Sequence, residues 1–460
     1  MWYEYLYRVL SIINYVVLIV IAIPIVIQVL YILLGFLPKK RFPKSEKKGR
    51  IAYLIPAHNE AGVIYGTVKA ALENQNYPKE LYDVYVVAHN CTDNTAELAR
   101  EAGAKVLVLN DPDPAHRMAL YPLKYGVQEI IALEGEEAYD MIVHLDADNR
   151  INAEFSSLMN DAYQSGVDFA RPYEGALNGM QNFYTKASTM LYAFDSRFGS
   201  RVRERLHLAA HVNGSGAMMS VRMLKETGGY DCETMCDDAE FNMKRMFDGH
   251  KGHFVEDAVV YEDMPSSYRD TLNRNKRMGS GASALFKANA GNLWKHFFKT
   301  GDFSFLEVYF LFSLSLLNVL LGVWLPLYYI YHFIFLGFAG YGGMELTLYS
   351  AEFYRLSLWN TIFAAAGIAV GLFVLFGYIQ GLILAITDYK KLGAKKRREL
   401  TGTVFGFPAF LVLYGITLMV GACSKPKGWG TAARNVPPPQ SSAEDAQSDE
   451  HTPDGADGAQ

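Results

Sequence analysis

Cysteine is scarce in this 460-residue chain: Cys91, Cys232, Cys236 and Cys423 form no Cys-x-x-Cys pair and have no companion histidine ladder. That excludes a disulfide framework and a structural zinc site, and it suits a reducing cytosol. A surplus of positive charge is missing as well, since 43 Lys and Arg stand against 48 Asp and Glu, a formal net charge of -5. Bulk nucleic-acid binding therefore lacks its electrostatic basis. With 50% apolar and 20% charged residues the chain is too hydrophobic to be disordered, and its length accommodates a domain of some size plus further elements. The charge is unevenly spread, because long stretches near both ends carry almost none.

The first such stretch, 9–37, holds no charged residue. It exceeds the roughly 20 residues a helix needs to cross about 30 Å of hydrocarbon. Its length and its lack of a small-residue cleavage site mark a retained anchor, kinked at Pro24, and not a signal peptide. Lys39, Lys40, Arg41, Lys44, Lys47, Lys48 and Arg50 follow at once, which marks the cytosolic side. Two more runs, 308–344 and 356–387, are long enough to span, with His332 the sole interruption of the first. The first is too long for one helix and too short for two with a turn, so part of it, before or around Pro326, is expected to lie in the interface or tilt strongly. His332 reads as a histidine satisfied near an interface. A fourth run, 401–424, has basic residues on both sides and Gly402, Gly406, Pro408, Gly415 and Gly421 within it. A crossing and a re-entrant or interfacial course both fit it.

The expected organisation is an anchor at 1–38, a cytosolic domain at 39–300, a membrane region at 301–424 and a cytosolic segment with an acidic, disordered tail at 425–460. The location that follows is a multi-pass protein of the plasma membrane, with its central domain in the cytosol.

Within 39–300, short apolar runs alternate with helical stretches, the pattern of an α/β domain with a mostly parallel sheet. Strands are expected at 51–55, 82–88, 105–109 and 139–145, with helices at 63–74 and 95–102. Polar loops, Pro56-Ala57-His58-Asn59-Glu60 and Asn90-Cys91-Thr92-Asp93-Asn94, then fall at strand carboxyl ends, where such folds bind ligands. The strand at 139–145 runs into Asp146-Ala147-Asp148-Asn149, and two carboxylates one residue apart there can seat a hard divalent cation or form a solvated turn. Asp111-Pro112-Asp113 has the same spacing in what reads as a plain loop. Asp237 and Asp238 open a helix, where carboxylates also simply favour the dipole. Asn273-Arg274-Asn275-Lys276-Arg277-Met278-Gly279 is either a cationic clamp or a membrane-surface patch.

Taken in order, Pro56 to Glu60, Asn90 to Thr95, Asp146 to Asn149, Asn213-Gly214-Ser215-Gly216, Asp237 to Phe241 and Arg277 resemble the membrane-embedded family 2 glycosyltransferases, the group of hyaluronan, chitin and cellulose synthases, over about 50–281. The resemblance implies a GT-A, Rossmann-like fold and an inverting transfer from a UDP-sugar with Mg²⁺ or Mn²⁺. It assigns Asp148, with Asp146, to the metal. Pro56, Ala57, His58, Asn59, Glu60, Asp93 and Asp146 go to the nucleotide sugar. Asp238 is the general base, supported by Asp237, and Arg277 steadies the diphosphate. Asn213, Gly214, Ser215, Gly216, Met278 and Trp429 fall to the acceptor.

The family's Gln-x-x-Arg-Trp motif stands here as Arg274-Asn275-Lys276-Arg277-Met278, and His89 replaces a frequent Asp. The first acceptor the resemblance implies is a growing β-linked polysaccharide. A thioether stacks on a sugar less well than an indole, so the alternative is transfer of one sugar to a lipid such as polyprenyl phosphate or diacylglycerol. The lipid bilayer is a partner in both. For a polymer, a homodimer or an export partner would complete a passage that three or four segments are too few to line. A nucleotide-sensing carrier is the third reading, against which stands the lack of charged residues in the apolar runs.

Overall fold

The computed structural model describes residues 2–134, 138–212 and 214–424. Asn213, Trp429 and the whole of 425–460 lie outside the described residues.

Eight strands form one sheet: β1 (Ile51–Ala57), β2 (Tyr82–His89), β3 (Lys105–Leu109), β4 (Met141–His144), β5 (Arg150–Ile151), β6 (Phe169–Ala176), β7 (Met218–Ser220) and β8 (His253–Glu262). Their order is β3-β2-β1-β4-β7-β6-β8-β5. The first four run parallel, as alternating strand and helix dictates. Beyond β4 the sheet is mixed: β7 is antiparallel to both β4 and β6, β8 is parallel to β6, and β5 is antiparallel to β8.

All seven residues of β1 are buried. Both faces are covered, so the strand is apolar throughout and does not alternate with polar residues. Ile51, Tyr53 and Ile55 pack against Ile64, Val68, Phe155 and Met159 on one side. Ala52 and Leu54 meet Leu120, Leu123 and Val127 on the other. Because Ala57 pairs with Ala88 and Leu54 with His144, the loops after β1, β2 and β4 converge at one edge.

Among the described residues, three helices are long and apolar enough to cross a membrane: Trp2–Leu34, Val323–Tyr341 and Arg397–Ala422. The run expected to be too long for one helix is a single helix, Phe303–Tyr341, with Pro326 inside it. At 39 residues it is longer than one crossing requires. Its opening turns belong to the α/β domain, where Glu307 accepts from Tyr31 and lies 3.4 Å from Arg203. The run at 356–387 forms Ala351–Leu372, a widened turn Phe373–Ile379 and Gln380–Thr387 in succession. His332 Nε2 bonds Ser11 (3.1 Å) and Tyr328 (2.9 Å), joining the first long helix to the second.

Ion pairs fasten these helices to the sheet. Lys39 and Arg41 bind Asp257, Lys40 binds the buried Glu204 at 2.6 Å, and Arg201 and Lys391 share the buried Glu256. A third apolar core unites Ile32, Met190, Phe198, Leu384, Phe407 and Phe410 from four separate segments. The helix Thr401–Ala422 touches domain elements at both ends. Near its start a Cβ on Gly406 would fall 2.5 Å from the Phe183 ring, at its middle Phe410 lies edge-on to Phe183, and near its finish Thr417 accepts from Asn275 Nδ2 (3.1 Å) while Ser280 Oγ donates to the carbonyl of Ser424 (3.1 Å).

Candidate functional site

At the converging edge, the loop after β1 and the loop after β2 are bonded into one wall. Asn59 and Asn90 both take left-handed backbone, φ 55° and 48°, which asparagine tolerates better than most residues. Asn59 Oδ1 accepts from the Thr92 amide (2.8 Å), and the His58 ring donates to the His89 carbonyl (2.7 Å). Asp93 Oδ2 accepts from the Ala61 amide (3.2 Å), and the Glu60 amide donates to Thr95 Oγ1 (2.8 Å). Burial pushes the Asp93 carboxyl up, but donors from Thr95 and Ala61 outweigh it, and the group sits below its ordinary value. Pro56 and Ala57 are the last residues of β1 and are buried behind this wall.

The loop of Asp111 joins the wall and is not plain. Asn90 exchanges two bonds with the Asp111 backbone at 2.8 and 2.9 Å, and His116 Nδ1 lies 2.7 Å from Asp111 Oδ2. His89 is 1% exposed, and burial, with His58 second, holds its imidazole below the ordinary value.

After β4, Ala147 and Asn149 turn inward, so the carboxyls of Asp146 and Asp148 stand half-exposed on the outer side of the turn. Thr67 Oγ1 donates to the Ala147 carbonyl (2.6 Å), and Ser215 Oγ receives Asn149 Nδ2 and the Asp146 amide. Among the described residues no group of three or more His, Cys, Asp or Glu side chains is placed to hold a metal ion. Two carboxylates with room beside them suit a magnesium-like ion, which takes one or two protein carboxylates and completes its shell from phosphate and water. The donor set fits such an ion held jointly with a diphosphate.

Facing this turn is the start of the helix Asp237–Phe247. Asp238 Oδ2 accepts from the Gly214 amide (3.2 Å) and its Oδ1 from the Ala239 amide (2.7 Å). Tyr230 donates to Asp237 Oδ2 at 2.9 Å. Burial, with the charge of Asp238 second, raises the Asp237 carboxyl to about 7, against the opposing pull of His144. A small cavity lies between His144, Gly214, Tyr230 and Asp238, walled by Phe169 and Phe241. Burial pulls the His144 imidazole down, Asp146 and Asp237 push it up, and it sits above its ordinary value.

The basic helix, Tyr268–Thr300, closes the third side. It comes so near that a Cβ on Gly281 would lie 1.8 Å from Cys236 Sγ, so glycine is required there. Arg277, one turn earlier, is exposed, and its charge reaches Cys236, whose thiol burial and the Asp238 and Asp237 charges push up to about 12. Met278 is exposed. Arg274, by contrast, points inward to Tyr192 and to Glu262, 3.4 Å away. Burial, then Glu174, raises the Glu262 carboxyl to about 8.

Of the residues expected from the sequence, those of the two aspartate sites meet on one loop. Gly214 bonds Asp238 and Ser215 bonds the turn of Asp146 and Asp148. Gly216 has φ 73° and donates to the His144 carbonyl at 2.7 Å, and a Cβ there would fall 2.5 Å from Pro172. The sequence reading missed His144, Tyr230 and Glu262. A histidine at the end of an apolar strand that leads into two aspartates was the one available signal, and it was passed over.

Comparison with known proteins adds the following. The family model for glycosyl transferase family group 2 matches residues 141–344, a stretch that contains both aspartate pairs and Arg277. A probable glycosyltransferase, YdaM, of Bacillus subtilis is 24% identical over 241 residues, 50% of this chain and 55% of that one. A beta-monoglucosyldiacylglycerol synthase of Nostoc is 26% identical over 218 residues, 43% of this chain and 41% of that one. The chain spans about half the length of the curated relatives it matches. Among solved structures, a mannosyltransferase of Pyrobaculum calidifontis, PcManGT, in complex with GDP-Man and Mn²⁺, superposes with a TM-score of 0.50 at 15% identity, covering 88% of this chain and 98% of that one. At that identity the likeness is one of fold.

Proposed function

We propose that this chain is a membrane-embedded family 2 glycosyltransferase, a reading that the family match and the relatives support, and that it transfers a sugar, with inversion, from a UDP-sugar to an uncharged hydroxyl presented at the membrane. The observation that carries this reading is the pair of adjacent residues, Gly214 and Ser215, that bond the two acidic sites together: Gly214 to Asp238, Ser215 to the turn of Asp146 and Asp148.

Asp238 takes the proton of the acceptor hydroxyl. The oxygen attacks the anomeric carbon, the bond to the diphosphate breaks on the opposite face, and the nucleoside diphosphate leaves. Mg²⁺ or Mn²⁺ held by Asp148 and Asp146 would offset the charge of the leaving diphosphate. Arg277 supplies positive charge on the same side. His58, Asn59, Glu60 and Asp93 would form the wall against which the nucleoside rests, with Pro56 and Ala57 behind it.

Asp146, Asp148 and Asp238 are carboxylates of the site, and Arg277 is an exposed cation on the basic helix. That balance repels an acceptor phosphate, so a neutral lipid hydroxyl of the diacylglycerol kind is favoured over a polyprenyl phosphate. Met278 in place of an aromatic platform favours one transfer over processive extension. A growing β-linked polysaccharide is the other neutral acceptor this chemistry serves. Incubation with labelled UDP-sugars and Mn²⁺ separates them: label should extract into organic solvent as one short species. A high-molecular-weight product degraded by a specific glycosidase would overturn the lipid reading and establish a polymer synthase.

The helix Thr401–Ala422 is proposed to lie along the membrane face of the α/β domain without crossing, since domain elements bind it at both ends. Cys423, which is exposed, then stays on the domain's cytosolic side. A membrane-impermeant maleimide should label wild type more than Cys423→Ser in inside-out vesicles and equally in intact cells. A difference confined to intact cells would mean that the helix crosses.

A further inference from the structure

His144 ends β4 and is 7% exposed. Its backbone grips the loop 214–217 twice: the His144 amide donates to the Ala217 carbonyl (3.0 Å), and its carbonyl accepts from the Gly216 amide (2.7 Å). The ring adds a third hold, Nδ1 donating to the Gly214 carbonyl at 2.9 Å. Gly214 in turn lies between the ring and the acid. A Cβ built on it would sit 3.5 Å from Asp238 Cβ and 3.6 Å from His144 Cε1. Its amide then donates to Asp238 Oδ2 at 3.2 Å. The far side of the ring faces the other acidic site, Nε2 lying 3.5 Å from Asp146 Oδ1.

We propose that His144 is a positioning residue that aims the Asp238 carboxylate through Gly214 and keeps that aim in register with the Asp146 turn. The inference rests on the glycosyltransferase reading above. A base acts only within hydrogen-bond reach of the proton it removes, and the Gly214 amide is one of the two backbone donors that fix the Asp238 carboxylate. That donor can stay in place only while the Gly214 residue does. The ring bond is a side-chain device for holding it, separate from the backbone ladder.

The bond makes a distinction that simple packing would not. Asparagine places its amide nitrogen where Nδ1 stands and keeps the donor to Gly214. Glutamine and leucine have comparable bulk but offer no donor at that point. His144→Leu and His144→Gln should each lower kcat about 10²-fold, the scale of a small misplacement of a reacting group. His144→Asn should recover most of that loss. Binding of UDP with Mn²⁺, followed by calorimetry, should stay near the wild-type value in all three.

Unchanged kcat in His144→Leu would overturn the proposal. So would a loss of nucleotide affinity that matches the loss of kcat, because the ring would then serve the donor site. If His144→Leu does not fold, the order of His144→Asn over His144→Gln carries the test, and equal or reversed rates overturn it. Failure of the underlying reading shows separately, as a wild type that releases no nucleoside diphosphate.

Discussion

Asp238→Asn is expected to reduce sugar transfer by about 10³-fold, within the range general-base catalysis supplies, while leaving nucleotide affinity close to wild type. The carboxylate accepts one backbone N–H on each oxygen, from Gly214 and from Ala239. An amide has only one accepting oxygen, so asparagine must turn its NH₂ toward one of these donors and lose that bond, at a cost to stability of about 1 kcal/mol. The fold survives such a loss, and what disappears is the group proposed to take the acceptor proton. Turnover at saturating donor, beside a calorimetric titration with UDP and Mn²⁺, separates the two effects. Turnover within tenfold of wild type would remove Asp238 from the role of base.

The same pair sets a pH dependence. Burial and the charge of Asp238 raise the Asp237 carboxyl to about 7, so Asp237 keeps its proton below neutrality. A raised carboxyl stabilises the fold in its protonated form. That contribution is complete below the ordinary aspartate value and is lost as pH rises through about 7. Activity runs the other way, because ionised Asp237 adds negative charge beside the proposed base, so the rate should climb through about pH 7.

Asp148→Ala should abolish the metal-dependent part of nucleotide binding. The turn is held by Thr67 and Ser215 on backbone atoms and on Asn149, not on the Asp148 carboxyl, so the substitution leaves those bonds in place. The ion's contribution to charge stabilisation is several kcal/mol. At about 1.4 kcal/mol per decade, affinity for UDP in Mn²⁺ should fall 10²-fold or more. Affinity in excess chelator should be the same in both proteins. Equal affinities in Mn²⁺ would place the ion elsewhere.

What was legible in the sequence was local or periodic. Ile51 to Ile55 announces a strand, which the structure extends through Pro56 and Ala57, and Asp146 and Asp148 announce a turn at a strand end, because each signal lies within a few consecutive residues. The Asp111 loop was misjudged because what binds it is Asn90, across two strands of the sheet. His144 was passed over because its partner Gly214 is 70 residues away. The continuity of Phe303–Tyr341 through Pro326 was missed for another reason: the helix begins in the α/β domain, and its opening turns are fixed by Glu307 to Tyr31 and Arg203. The mixed half of the sheet was not foreseen either, since β5 and β7 are two and three residues long and leave no periodic trace.

The central claim is that this chain releases a nucleoside diphosphate from a UDP-sugar by a displacement that depends on a divalent cation at Asp148. The measurement that tests it most directly is UDP release by the purified, detergent-solubilised wild-type protein, given a panel of UDP-sugars and a neutral lipid acceptor, with Mn²⁺, with chelator, and with Mn²⁺ restored. Release with Mn²⁺, cessation in chelator and recovery on restoration is the predicted result. Release that continues unchanged in excess chelator, or no release from any donor under any condition, would contradict it.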